Sequence, residues 1–145
     1  MHHISRSALV PYSAREMFDL VADVEAYPDF LPWCADCRVL SRDEDEVVAE
    51  LHIHYSGLDK RFTTCNRMQP GKMLEMRLRE GPFSHLQGFW RFQALGERGS
   101  KISLDLDFRF ASRLLDMMVA PVFTRIADGL VDAFHRRAVS LYGRR

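Results

Sequence analysis

From Ser112 to Tyr142 the apolar residues return every third or fourth position, and that spacing restricts the rest of the chain more than any other feature. Val119, Phe123, Ile126, Leu130, Phe134, Ala138 and Leu141 share one stripe, while Asp128, Asp132 and Arg136 lie opposite. The spacing predicts a long amphipathic helix with Ser112 as its N-cap. Pro121 removes a helical hydrogen bond and crowds the turn before it, so a kink or restart is expected there. Arg113 to Ala120 would then form a separate flap, with Leu114, Leu115, Met117 and Met118 as adaptable apolar cover. The 22 residues from Pro121 to Tyr142 make about 33 Å of helix at 1.5 Å per residue. A strand of about ten residues has the same reach. A helix with so wide an apolar face needs a sheet of matching length to cover it.

The upstream sequence supplies that sheet. Ile4, Ala8 and Val10 alternate with Arg6 in a first strand ended by Pro11. Ser13-Ala14-Arg15-Glu16 reads as a capping box, followed by a short helix carrying Met17, Leu20, Val21 and Val24 on one face. Pro28 and Pro32 bias their predecessors away from helix, so Tyr27 to Trp33 is expected to be a turn with its aromatics inward. Cys34 to Leu40 is a second strand. The set Val47, Ala49, Leu51, Ile53 and Tyr55 then alternates with Val48, Glu50, His52 and His54. The next strand is of mixed polarity, with Leu58, Lys60, Phe62, Thr64, Asn66 and Met68 in one phase. Alternation is cleaner in Leu74 to Leu78 and Leu86 to Ala94. It is cleanest in Ile102 to Phe110, where Leu104, Leu106 and Phe108 oppose Asp105, Asp107 and Arg109. Antiparallel sheets with one wet face have this pattern. The order predicts a single α+β domain over residues 1–145. Two short helices follow the first strand, and a curved antiparallel sheet of six to seven strands wraps the C-terminal helix with a hollow between them.

Twenty basic and twenty acidic residues cancel, so no global field favours nucleic acid, and DNA is not an expected partner. The charge is uneven along the chain. Lys60 to Glu80 has six Lys/Arg against two acids, and Ser112 to Arg145 has six against three, while Asp36 to Glu50 has six acids against two Arg. No apolar run reaches the length of a membrane span, and the N-terminus lacks a signal-peptide core. An odd set of three cysteines makes no disulfide framework, and a reducing cytoplasm is the expected compartment.

Three patches carry a family resemblance. Ala14 to Val24 runs into Tyr27-Pro28-Asp29-Phe30-Leu31-Pro32-Trp33-Cys34. Gly81-Pro82-Phe83 is followed by Leu86, Trp90 and Phe92. The last helix ends in Ala133-Phe134, Arg137-Ala138 and Tyr142-Gly143. With the element order, these resemble the helix-grip fold of the START-like superfamily and, within it, the coenzyme Q-binding/RatA family. The resemblance implies a hydrophobic cavity between sheet and long helix. It also implies one of two roles: holding ubiquinone in support of respiration, or binding the large ribosomal subunit and blocking its union with the small one.

Tyr27, Phe30, Leu31 and Trp33 from the proline turn, Phe83, Trp90 and Phe92 from the strands, and Met117, Phe123 and Phe134 from the last helix are the candidate ligand-binding residues. For any one of them the simpler reading is core packing, given the burial energy of an aromatic ring. Cys34-Ala35-Asp36-Cys37 has the spacing of a redox pair, but it follows a double-proline turn and lacks the intervening Gly-Pro; one further Cys is too few to complete a zinc site. His52 and His54 have metal-ligand spacing on one strand, and their phase with Glu50 favours a solvated pair. His85 follows the Gly-Pro-Phe turn without a carboxylate neighbour. The inward phases hold almost no ionisable group to act as acid or base. Non-enzymatic binding of a hydrophobic molecule, ubiquinone or a similar lipid, is therefore the preferred expectation, with no other cofactor and no metal. The alternative is a ribosome-directed toxin, and a cyclase-like enzyme is a distant third.

Overall fold

The computed structural model describes residues 1–145 and follows the hydrophobic periodicities closely. In order it contains β1 (His2–Val10), α1 (Ala14–Ala22), α2 (Tyr27–Phe30), β2 (Cys34–Arg42), β3 (Glu46–Tyr55), β4 (Leu58–Gln69), β5 (Met73–Glu80), β6 (Phe83–Leu95), β7 (Gly99–Phe110), α3 (Arg113–Asp128) and α4 (Leu130–Tyr142). The seven strands form one sheet in the order β1-β7-β6-β5-β4-β3-β2, and every neighbouring pair is antiparallel. Six consecutive strands thus form a meander, and β1 returns to pair with the last of them. This is the α+β helix-grip architecture.

Local chemistry explains where the helices begin. At α1 the Ser13 hydroxyl accepts from the Glu16 amide at 3.1 Å, and the Glu16 carboxylate accepts from the Ser13 amide at 3.0 Å. At α3 the Ser112 hydroxyl accepts from the Leu115 amide at 3.0 Å. Pro28 stands in the first turn of α2, where its missing N–H costs no intrahelical bond. The expected turn at Tyr27 is therefore one short helix, reached through a 3-10 turn at Val24–Ala26.

The sheet phase is as the alternation predicts. Leu104, Leu106, Phe108, Phe123, Ile126 and Phe134 are buried together, with Leu130 half-buried beside them. Asp105 and Asp107 lie on the wet face, Asp105 held by Arg91 at 3.0 Å and Asp107 by His3. An ion pair and a hydrogen bond fasten the edge strand β1 to the long helix: Arg6 to Asp128 at 2.9 Å and His2 Nε2 to Asp116 at 2.7 Å.

The C-terminal helix departs from expectation in three respects. Helical structure continues through Pro121 and breaks at Gly129 instead. Pro121 is exposed, so water can reach the Met117 carbonyl that a regular residue at 121 would have bonded. At the true break the Gly129 amide bonds the Ile126 carbonyl, three residues back, at 3.2 Å. Secondly, Arg113 to Ala120 is no separate flap. Val119 and Ala120 are buried, and Asp116 accepts from the Phe110 amide at 2.9 Å, which ties the first turns to the end of β7. Met117 consequently points to solvent with Leu114 and Met118 and does not line the cavity. Thirdly, Leu141 is half-exposed at the frayed end of the stripe. There Tyr12, fully buried, donates its hydroxyl to the Gly143 carbonyl at 2.6 Å and fixes the C-terminus.

Candidate functional site

Sheet and helices enclose a cavity of about 70 Å³. Its floor is Leu51 and Ile53 from β3, Phe62, Thr64 and Asn66 from β4, Met76 from β5, Leu86 and Trp90 from β6 and Leu106 from β7. Its roof is Phe123, Ile126, Ala127 and Leu130 with Phe134, and Val24, Tyr27 and Trp33 close one end. Gly88 keeps the floor flat, since a Cβ there would stand 2.8 Å from Met76 Cε and 3.0 Å from Leu106 Cδ1. Phe134 is the hub of the aromatic wall, with ring centroids 5.5 Å from Tyr27, 5.4 Å from Phe30 and 5.3 Å from Trp90, all edge-on.

Five of the ten candidate residues therefore line this cavity: Tyr27, Trp33, Trp90, Phe123 and Phe134. Phe83 packs instead into a neighbouring cluster with Phe62, Phe110 and Phe123, and Phe92 packs between Phe18 and Trp90. Phe30 and Leu31 belong to a second, outer hollow of about 150 Å³ beside the Gly129 break, together with Pro32, Tyr55, Arg125, Ala133 and Arg136. Trp33 and Ile126 border both spaces and form the partition between them.

Thr64 and Asn66 were not singled out from sequence, yet they are the only polar residues among the 17 that line the cavity. Their signal was the mixed polarity of β4, where Lys60, Thr64 and Asn66 share the phase of Phe62. The Thr64 hydroxyl donates to Asn66 Oδ1 at 2.9 Å.

Ionisable chemistry is nearly absent from the interior. The Tyr27 hydroxyl donates to the Val21 carbonyl, and burial pushes its pKa upward, so it stays neutral. Burial likewise raises the Cys34 thiol to about 11 and the Cys37 thiol to about 12, which leaves both protonated at neutral pH and poor nucleophiles. His52 and His54 stack on the wet face, and His52 reaches Asp59 at 2.6 Å. His85 stands opposite Arg109 in the β6–β7 register, outside the cavity lining.

The outer surface of α3 and α4 has a different character. Of the six Lys/Arg from Ser112 onward only Arg145 holds a carboxylate, Glu16 at 2.7 Å. Arg113, Arg125, Arg136 and Arg144 are exposed without an acidic partner, and Arg137 lies over the Phe30 ring at 4.8 Å. Asp116 and Asp128 are already engaged by His2 and Arg6. Upstream, by contrast, eight of fourteen Lys/Arg are paired.

Residues 10–135 match the family of polyketide cyclase / dehydrase and lipid transport proteins. The chain belongs to this family. Within it, the sequence is 51% identical over 141 residues to the ribosome association toxin RatA of Pseudomonas aeruginosa, covering 97% of this chain and 98% of that protein. It is 31% identical to the mitochondrial coenzyme Q-binding protein COQ10 homolog B of Xenopus laevis, covering 97% of this chain but 59% of that protein. The fold matches the Zhui aromatase/cyclase from Streptomyces sp. R1128 with a TM-score of 0.85 at 21% identity, each chain 99% covered. It also matches a START superfamily protein from Mycobacterium smegmatis, with a TM-score of 0.82 at 22% identity over 97% of this chain and 99% of that one. These two structural likenesses concern the fold alone. No helix is long and apolar enough to cross a membrane.

Proposed function

We propose that this protein is a ribosome-associating factor of the RatA type. It acts in the cytoplasm, binds the large ribosomal subunit and hinders its union with the small one. The observation that carries the reading is the 51% identity to RatA over nearly the full length of both chains. The unpaired arginines of α3 and α4 support it physically. A guanidinium with no carboxylate partner is available to a phosphate, and a chain of zero net charge can still present a local basic surface. The interior points away from catalysis, since no cavity-lining side chain is ionised at neutral pH.

Sedimentation of the purified protein with separated ribosomal subunits tests this. The expected result is migration with the large subunit that weakens as salt rises, and fewer joined ribosomes when both subunits are present. Migration with neither subunit at low salt would refute it.

A second reading, a carrier for a hydrophobic molecule such as ubiquinone, is favoured by the apolar cavity. Its volume of about 70 Å³ is well below the roughly 300–1,000 Å³ of a small-molecule pocket. A prenylated quinone would therefore require α4 to swing at Gly129 and join the inner cavity to the outer hollow. Organic extraction of the purified protein, read by absorbance and mass, tests for such a ligand.

A further inference from the structure

Two buried side-chain donors that border the cavity have nothing in the protein to bond, the Asn66 amide and the indole N–H of Trp90, and the amide is the more polar of the two. Asn66 is 4% exposed, and its Oδ1 is occupied by the Thr64 hydroxyl. Its Nδ2 has no acceptor in the protein. No side-chain nitrogen or oxygen is sealed in packing without a partner, so this amide group must face open volume, and the volume that Asn66 borders is the cavity. An unpaired amide amid fifteen apolar lining residues is costly to bury, and β4 would satisfy its packing more cheaply with an aliphatic side chain.

We propose that Asn66 is the polar anchor of a ligand site, and that the ligand is a compact, uncharged, apolar molecule whose carbonyl oxygen accepts from Asn66 Nδ2. It rests on the second reading above, that the cavity receives a ligand at all. The chemistry follows from the lining. The free group is a donor, so the ligand supplies an acceptor. No cation borders the inner cavity, so an anion would be desolvated without compensation. The Thr64 hydroxyl donates to Oδ1, and in that arrangement the N–H bonds are left directed at the ligand. Thr64 is thus a positioning residue. The remaining walls, Trp90 and Phe134 foremost, accept any flat apolar body, so selectivity resides in the Asn66 amide, with the Trp90 indole N–H as a weaker second donor. Entry is past Trp33 and Ile126, the partition shared with the outer hollow.

The test uses cyclopentanone and methylenecyclopentane, which share a shape and differ by C=O against C=CH₂. Affinities are read by NMR titration of the full chain. The comparison is with Thr64→Val/Asn66→Leu, a double substitution that removes both polar partners at nearly constant volume and leaves no stranded hydroxyl. The ratio of ketone to hydrocarbon affinity is expected to fall about tenfold in the variant, because the bound carbonyl then loses its amide donor. In the natural protein the Asn66 side-chain amide signal should move with the ketone and stay nearly still with the hydrocarbon. An unchanged ratio with both probes still bound would overturn the Asn66 anchor and leave the cavity reading intact. Failure of both probes to bind the natural protein would mean that the amide serves only internal water, and would end both; binding of the hydrocarbon without the ketone would overturn the anchor alone. Should the variant fail to fold, the natural protein decides alone: a bound ketone that leaves the Asn66 amide signal unmoved refutes the anchor.

Discussion

Phe134→Ala is the substitution whose cost the fold predicts most sharply. The ring is 1% exposed, and it touches Tyr27, Phe30 and Trp90 edge-on at 5.3–5.5 Å. Losing the transfer free energy of a buried aromatic side chain costs about 1.5–3 kcal/mol. Each aromatic pair contributes a further ~0.5–1.5 kcal/mol beyond area, and three are lost together. The hollow beside Phe134 already deprives one side of the ring of packing, which lowers the total. A loss of about 3–4 kcal/mol results, inside the range of about 3–5 for such changes. Urea unfolding followed by tryptophan fluorescence and circular dichroism would measure it, with an unchanged slope and a lower midpoint. A loss below about 1.5 kcal/mol, with cooperative unfolding retained, would refute the view that Phe134 joins the α2 turn, the sheet and α4.

Gly129→Ala should raise stability by about 0.4–1 kcal/mol, because φ is −90° there and the nearest atom to a new Cβ is 3.6 Å away; a lower melting temperature would show that the break needs glycine. Arg145, then the Ser13 amide, holds Glu16 below its ordinary 4.5, so its contribution to stability is complete above that pH and disappears as pH falls through the lower folded value. Glu16→Gln should therefore flatten the acid limb of a stability–pH curve, and an unaltered limb would contradict this. With thiol reagent at pH 8, half-buried Cys65 should react first, and Cys34 and Cys37, buried and protonated, only on unfolding. Rapid labelling of all three in the native state would overturn that order.

The sheet was legible because alternation in β7 is strict: five apolar residues from Ile102 to Phe110 against polar neighbours leave one phase. The capping serines were equally plain, since Ser13 and Ser112 stand where a first turn needs acceptors. The break in the long helix was not legible, because Pro121 has a strong local signal and Gly129 a weak one. Solvent exposure of the proline side decided the matter, and exposure is a property of the packed fold. Half of the candidate residues, all five of them aromatic, do line the cavity, but Phe83 and Phe92 satisfy the same pattern while packing elsewhere, since phase assigns a residue to a face and not to a position along it. Asn66 was overlooked because polarity on an inward phase looks like an irregular strand until the hollow beside it is known. The arginine surface was visible only as a count; its lack of carboxylate partners depends on which acids β1 draws away through His2 and Arg6.

The affinity of the protein for the large ribosomal subunit, measured across a salt series, gives the most direct test of that surface. Each arginine that meets a phosphate adds about 0.7–0.9 to the slope of log affinity against log salt. Arg125→Gln/Arg136→Gln, which alters two exposed and unpaired side chains and should leave folding intact, is predicted to weaken binding and reduce the slope by about 1.5. Equal affinity and equal slope in the natural and substituted proteins would contradict docking through α3 and α4.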